Sequence, residues 1–156
     1  NEPANVISSE TFVARVREAF GNIAGVSIEV LDEAAMRKLG MGTLVGVGQG
    51  SPRGSRLMLV RYRGANAPAA PLAFVGKGIT FDSGGISLKP GAGMWDMKGD
   101  MSGAASVMGA VLSLAATNGE SREIFLGPSD DFSVLGVVSA VFRTWHDEPA
   151  TEPVDE

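Results

Sequence analysis

The sequence predicts one α/β domain, with a mixed or mainly parallel sheet flanked by helices. Segments with helical periodicity alternate with strand-like segments, which is the element order of this fold class. A chain of 156 residues, 44% hydrophobic and 20% charged, also has the size and composition of a single globular domain.

The first predicted elements are a helix, a strand and a second helix. Ser8 or Ser9 can cap a helix whose apolar residues recur at helical spacing and which ends near Gly21. Residues 26–30 alternate apolar with polar or small side chains, the pattern of a half-buried strand. Asp32 can cap the second helix.

The middle of the chain is turn-rich and then alternates between strand and helix. Five glycines between residues 40 and 50 predict turns, and residues 57–62 predict a strand. After a spacer rich in Ala and Pro at residues 64–71, the apolar run 72–75 predicts a strand covered on both faces. Small apolar residues at 101–116 predict a tightly packed helix. Further strand-like segments are residues 123–126 and 132–142, and the acidic residues 147–156 are expected to be disordered.

Composition argues against several classes of site and partner. The net charge is −5 and no cluster of Lys and Arg offsets it, so we expect no nucleic-acid partner. With no cysteine and a single histidine, His146, the chain has neither a thiolate site nor an imidazole cage, and any metal must be held by oxygen and amine ligands. We found no apolar run of the ~18 residues that span a membrane and no signal-peptide pattern, so we expect a cytoplasmic protein without a membrane partner.

Residues that could bind a metal are concentrated between Lys77 and Asp100. Lys77 and Asp82 follow the apolar run, Lys89 comes next, and Asp100 opens the small-residue helix. Sites in open α/β sheets form beyond the carboxyl ends of the strands. Carboxylates suit Mg²⁺ and Mn²⁺, and a dication can hold a lysine as a neutral amine because its charge lowers the lysine pKa.

These residues also have purely structural interpretations. The Asp-Ser-Gly-Gly sequence at Asp82 is ordinary turn chemistry, and Asp100 could be a helix cap. Isolated lysines are more often surface charges, and His146 near the acidic end is more often a surface residue. The glycines of residues 46–50 miss the G-x-G-x-x-G spacing of a dinucleotide loop.

Two longer motifs point to a family. Residues 74–90 read Phe-Val-Gly-Lys-Gly-Ile-Thr-Phe-Asp-Ser-Gly-Gly-Ile-Ser-Leu-Lys-Pro, and residues 97–105 read Met-Lys-Gly-Asp-Met-Ser-Gly-Ala-Ala. Together they closely resemble the catalytic core of the leucyl aminopeptidases, the M17 metallopeptidase family. Residues 1–5 and 40–51 also look like the opening of that family's catalytic domain, so the resemblance covers about residues 1–116.

The resemblance implies an enzyme that releases leucine-like amino-terminal residues from peptides by two-metal hydrolysis. By position it makes Lys77, Asp82 and Asp100 metal ligands, with Asp82 bridging two divalent cations, Mn²⁺ or Zn²⁺, with Mg²⁺ as a further option. It makes Lys89 the catalytic lysine that stabilises the tetrahedral oxyanion, and Met97 part of the pocket for the first substrate side chain. Family members assemble as hexamers, so the resemblance also implies a homo-oligomer.

The sequence departs from the family pattern in two respects. We found neither the family's separate amino-terminal domain nor its Asn-Thr-Asp-Ala-Glu-Gly-Arg motif, which supplies an Asp, a Glu and an Arg to the site. We therefore expect a truncated catalytic domain in residues 1–116 and an unrecognised segment in 117–156. Without the missing motif the second cation position keeps only Asp82, which is too few ligands for a stable metal, so one cation instead of two is an open alternative. Two alternatives stay open: an inactive remnant or non-enzymatic subunit of the same fold, and a small-molecule binding module that uses the glycine-rich loops.

Overall fold

The structure, a computed structural model, describes residues 2–63 and 72–117 and the backbone of residues 131–141. The spacer 64–71, the segment 123–126, His146 and the acidic end 147–156 lie outside the described residues. The elements, in chain order, are α1 (Ser9–Phe20), β1 (Val26–Leu31), α2 (Glu33–Lys38), α3 (Gly42–Val47), β2 (Arg56–Arg63), β3 (Leu72–Asp82), a 3₁₀ helix (Met94–Gly99), α4 (Ser102–Thr117) and β4 (Asp131–Val141).

The four strands form one mixed sheet in the order β1-β2-β4-β3. β2 pairs antiparallel with both β1 and β4, whereas β3 runs parallel to β4. The predicted mixed α/β sheet is therefore confirmed. β4 comes from the part of the chain that the sequence resemblance did not cover, yet it lies inside the sheet. β3, which carries two candidate site residues, is the edge strand of the described sheet.

The two predicted helix caps are confirmed. Ser8 caps α1: its hydroxyl accepts a hydrogen bond from the Thr11 backbone N–H at 3.3 Å, and the Thr11 hydroxyl lies 2.7 Å from the Ser8 backbone nitrogen. The helix ends at Gly21, whose φ of 49° glycine tolerates most readily. Asp32 caps α2 by accepting from the Ala35 backbone N–H at 2.8 Å. Local sequence thus determines where both helices begin.

Hydrophobic side chains on the two faces of β2 pack against different helices. Met58, Val60 and Tyr62 face α1 and α4 in the main core, as the two-residue period of a strand requires. Leu57 faces the opposite side and packs with Met36 of α2 and with Val45 of α3 in a second cluster. The sheet therefore has helices on both faces. The remaining buried members of the main core are Ile7, Phe12, Val13, Val16, Phe20, Met101, Ala104, Met108, Val111 and Ala115.

The structure contradicts one prediction about burial and refines another about turns. The apolar run 72–75 is not covered on both faces: Leu72 is 53% exposed and Val75 is 70% exposed. These residues begin an edge strand of the described sheet, and the close backbone contacts of that strand with α4 are at Gly76 and Lys77, after the apolar run. Within the glycine-rich stretch predicted as turns, residues 42–47 form the short helix α3.

One helical stretch, Met94–Ala116, is long and apolar enough to cross a membrane, with a mean hydropathy of 1.2. No such stretch was expected from the sequence, and by length and composition that expectation was wrong. The stretch meets this criterion of length and hydropathy mainly because it contains many small residues. In this fold Ala104, Met108 and Val111 are buried against the sheet and α1, which accounts for the apolar character of that helix face.

Candidate active site

β3 carries two of the candidate site residues. Lys77 was predicted to lie just past a short strand, but the strand continues to Asp82, so Lys77 lies in its middle. Gly76, Gly78 and Thr80 are buried, whereas Lys77 between them is exposed, as alternation along a strand requires. Asp82 is the last residue of β3, after an irregularity in the pairing with β4.

A close backbone contact between β3 and α4 sets the position of Asp100. A Cβ atom on Gly76 would lie 2.6 Å from the Ala104 Cα atom and 2.6 Å from the Gly103 carbonyl oxygen. Only glycine allows this approach, which brings the residues just before α4 against β3. The Lys77 ammonium consequently donates to both carboxylate oxygens of Asp100, each at 2.5 Å.

A second ion pair joins the loop after β3 to the last residue of that strand, and a hydrogen bond from the same lysine reaches the 3₁₀ helix. Lys89 Nζ lies 3.1 Å from Asp82 Oδ2 and 3.1 Å from the Met97 sulfur. The loop is closed by the Lys89 backbone N–H, which donates to the Ser83 carbonyl at 2.9 Å. Gly84 has a φ of 91°, and a Cβ there would collide with the Ser87 carbonyl oxygen, so this turn requires glycine.

The Asp82 carboxylate is stabilised in its charged form. Burial, the largest single influence, raises the pKa of Asp82. The Gly84 backbone N–H, the Lys89 hydrogen bond and the charges of Lys89 and Lys77 together lower it by more, so the pKa lies below its ordinary value. Asp82 is therefore an anion in the electrostatic field of both lysines.

All five residues singled out from the sequence thus take part in two sets of contacts: Lys77 pairs with Asp100, and Lys89 contacts both Asp82 and Met97. The charge of Lys77 also acts on Asp82. The structural interpretation of Asp82 also holds, since its Oδ1 accepts from the Gly84 backbone N–H at 2.9 Å. Asp100 ends the 3₁₀ helix and does not cap α4, which begins two residues later.

The donors that could hold a cation are two carboxylates and a lysine amine. The Asp82 and Asp100 side chains are 24% and 20% exposed, so both are partly shielded from water. Among the described residues no group of three or more His, Cys, Asp or Glu side chains lies together. The described carboxylates are therefore fewer than the three or four protein ligands of a typical zinc site.

A cleft that was not predicted from the sequence lies beside these residues. The glycine-rich residues 46–50 lie against the loop at residues 82–87, and between them is a cavity of about 680 Å³. The high glycine content of both segments was the only sequence signal, and it does not reveal that they meet. We call this cavity the Asp82 cleft; it is lined by Gly46, Val47, Gln49, Gly50 and residues 82–87.

Comparison with known proteins gives consistent matches. Residues 1–128 match the catalytic domain of the cytosol aminopeptidase family. A probable cytosol aminopeptidase of Xanthobacter autotrophicus is 52% identical over 126 residues, which are 81% of this chain and 25% of that protein. The leucyl aminopeptidase of Leishmania major, solved in complex with actinonin, superposes with a TM-score of 0.81 at 28% identity, covering 96% of this chain and 28% of that one. The bottromycin maturation enzyme BotP, solved in complex with Mn, gives a TM-score of 0.73 at 33% identity, covering 90% and 28%.

The chain spans about a quarter of the length of the curated relatives it matches. The match includes both motifs on which the resemblance to leucyl aminopeptidases was based, and the superposed structures share the α/β fold. The resemblance inferred from the sequence is confirmed: this chain belongs to the cytosol aminopeptidase family, and most of it matches that family's catalytic domain.

Proposed function

We propose that this chain provides part of the active site of a metal-dependent aminopeptidase, which releases leucine-like amino-terminal residues from peptides in the cytoplasm. One observation carries the proposal: two carboxylates, two lysines and a methionine lie along the second half of β3, in two sets of contacts, in a member of the aminopeptidase family. Family resemblance supports a homo-oligomer, with the hexamer as the expected form.

Lys77, Asp82 and Asp100 are the proposed metal ligands. Lys77 Nζ lies within hydrogen-bond distance of both Asp100 oxygens, so this amine and this carboxylate face the same small volume. Oxygen and amine donors suit Mn²⁺, Zn²⁺ and Mg²⁺, and the related BotP was solved with Mn. Bound cations would supply Lewis-acid polarisation of the scissile carbonyl and a more acidic water.

Asp82 is the proposed bridge to a second cation. Among the described residues it has no further carboxylate or imidazole neighbours that could complete the second position. Two-metal hydrolysis therefore depends on ligands from outside the described residues or from another chain.

Lys89 and Met97 are proposed to act on the substrate. Lys89 is held between Asp82 and Met97 with its side chain 37% exposed, so its positive charge is anchored but accessible. A fixed cation at this place stabilises the oxyanion that develops as the peptide carbonyl is attacked. Met97 offers a flexible apolar thioether, which can pack against an aliphatic first side chain.

The test is hydrolysis of leucine p-nitroanilide by the 156-residue chain with and without Mn²⁺. Lys89→Ala and Asp82→Ala should each lower metal-dependent turnover by about 100-fold or more, the usual effect of removing a group that stabilises the transition state. Lys98→Ala is the matched control, because Lys98 lies over the Trp95 ring at 4.2 Å and is not among the proposed site residues. Its activity should stay within a few-fold of wild type. Full activity in Lys89→Ala would contradict the assigned role.

The small number of carboxylates in the described site favours a second candidate function, a non-catalytic subunit that binds one cation. In that case Mn²⁺ would raise the melting temperature of the wild-type chain and not that of Asp100→Asn, because only a bound ligand stabilises the folded state. Leucine anilide would not be turned over by either protein. Metal-dependent turnover by the wild type would exclude this candidate.

A further inference from the structure

The seven methionines of the chain differ in their exposure to water. Four are buried in the two hydrophobic clusters: Met36, Met58, Met101 and Met108. The other three are partly exposed: Met41, Met94 and Met97. A thioether is oxidised where a peroxide can reach its sulfur, so these three are the candidates for oxidation.

Met97 differs from Met41 and Met94 in the surroundings of its sulfur. The Met97 sulfur lies 3.1 Å from the Lys89 ammonium, which is also 3.1 Å from Asp82 Oδ2. No comparable contact reaches the sulfur of Met41 or of Met94 among the described residues. A thioether is a weak hydrogen-bond acceptor and a carboxylate is a strong one. The position of Lys89 therefore depends on a balance that a change at the sulfur would shift.

We propose that Met97 is a modification site, where oxidation by hydrogen peroxide redirects Lys89 and lowers the activity of the enzyme. In the reaction the sulfur attacks one peroxide oxygen and the O–O bond breaks. The transferred oxygen gives its proton to the departing hydroxide, so the products are methionine sulfoxide and water. The sulfur is oxidised and the peroxide is reduced. The effect on activity rests on the proposed aminopeptidase function.

The sulfoxide would change the site in two ways. Its oxygen is a polar acceptor on the atom that Lys89 already contacts, so it draws the ammonium toward residue 97 and away from Asp82. It also places a polar group where an apolar thioether is proposed to pack against the first substrate side chain. Both changes oppose the hydrolysis of a leucine derivative.

The first measurement follows the modification itself and needs no activity. The chain is treated with hydrogen peroxide, and mass spectrometry of its proteolytic peptides locates the added oxygen. With ¹³C-labelled lysine the NMR spectrum contains signals from four lysines, and Lys89→Met identifies that of Lys89. Peroxide should shift the Lys89 signal in wild type and leave it in place in Met97→Leu.

Met94→Leu is the matched control, because Met94 is partly exposed and belongs to the same 3₁₀ helix. Peroxide should shift its Lys89 signal as in wild type. Leucine and methionine have similar volumes, so both variants should fold.

The second measurement is the turnover of leucine p-nitroanilide, with each protein compared with its own untreated sample. Peroxide is removed with catalase before Mn²⁺ is added. Treatment should lower the turnover of wild type and of Met94→Leu about tenfold, because the charge that stabilises the oxyanion is displaced. It should leave the turnover of Met97→Leu unchanged. Methionine sulfoxide reductases of both stereospecificities should restore the wild-type activity, since the modification is reversible.

Three results would overturn the proposal: an added oxygen on Met94 but not on Met97, an unshifted Lys89 signal in the oxidised wild type, or equal losses of turnover in Met97→Leu and wild type. Full turnover by a wild type that carries the oxygen on Met97 would overturn it as well. The proposed function is judged separately, on untreated protein. A Lys89 shift that requires Met97, in a chain that does not hydrolyse the anilide, would reject catalysis and support the modification site.

Discussion

Replacing Gly76 by alanine tests the contact that joins β3 to α4. The new Cβ would lie 2.6 Å from backbone atoms of Gly103 and Ala104, whereas ordinary contact begins at 3.4 Å, so the two backbones must separate by about 0.8 Å. Overpacking of this kind costs about 1–3 kcal/mol. For a chain of this size that lowers the melting temperature by roughly 2–4 °C per kcal/mol.

The same separation should disturb the site, because Lys77 follows Gly76 and Asp100 lies two residues before α4. Gly109→Ala is the control: this glycine is in the same helix, and a Cβ there meets nothing within 4 Å. It should stabilise the protein by about 0.5–1 kcal/mol, because alanine is the better helix former. Thermal unfolding followed by circular dichroism compares the two variants. If Gly76→Ala were as stable as Gly109→Ala, the contact would not be as close as described.

Two further predictions concern the second core cluster and the Asp82 carboxyl. Met36 is fully buried, so Met36→Ala should lower the free energy of unfolding, measured in urea, by about 2–5 kcal/mol. Leu39 is 61% exposed, so Leu39→Ala should change that free energy by no more than about 0.5 kcal/mol. Equal losses in the two variants would refute the assignment of Met36 to a buried cluster. Lys89→Met should raise the pKa of Asp82, measured by NMR titration of the metal-free protein, because burial keeps raising it while the hydrogen bond and charge of Lys89 are lost. A pKa that is lower in the folded than in the unfolded state stabilises the protein at a pH above the unfolded pKa of about 3.9. This stabilisation is lost as the pH falls through the folded-state pKa. The free energy of unfolding of the Lys89→Met variant should therefore decrease less over this pH range than that of the wild type. An Asp82 pKa that is the same in the Lys89→Met variant and in the wild type would contradict the ion pair between Lys89 and Asp82.

Local features of the fold could be predicted from the sequence because neighbouring residues determine them. Ser8 and Asp32 begin their helices by hydrogen bonds to N–H groups only three residues away. The strand at residues 57–62 is recognisable because its alternate side chains face two different cores. Residues 132–142 were likewise recognised as strand-like, and β4 occupies Asp131–Val141.

The order and exposure of the strands could not be predicted in this way. An apolar run such as residues 72–75 indicates a strand, but whether its side chains are buried depends on which other elements pack against the strand. The position of β4 between β2 and β3 is a pairing between distant segments, and no local pattern reports it. Similarly, nothing near residues 42–47 distinguished a short helix from the turns that the glycines suggested.

For the site, the sequence supplied the residues and the structure supplied their pairing. The motif identified Lys77 and Asp100, but their contact depends on glycines at positions 76 and 103 that let a helix approach a strand. The Asp82 cleft was missed because its two walls are separate glycine-rich segments, and their meeting is a property of the tertiary structure.

The place of β4 in the sheet has a consequence for the order of folding. Among the described strands, β3 pairs with β4 alone, and β4 is the last of them in the chain. β1 and β2 can pair as soon as they are synthesised, whereas β3 must wait until β4 emerges, and such long-range pairing closes slowly because a long loop must first be ordered. Of the described strands, the one that bears Lys77 and Asp82 is therefore fixed in the sheet later than β1 and β2, and a nascent chain that ends before β4 would contain the motif without this pairing.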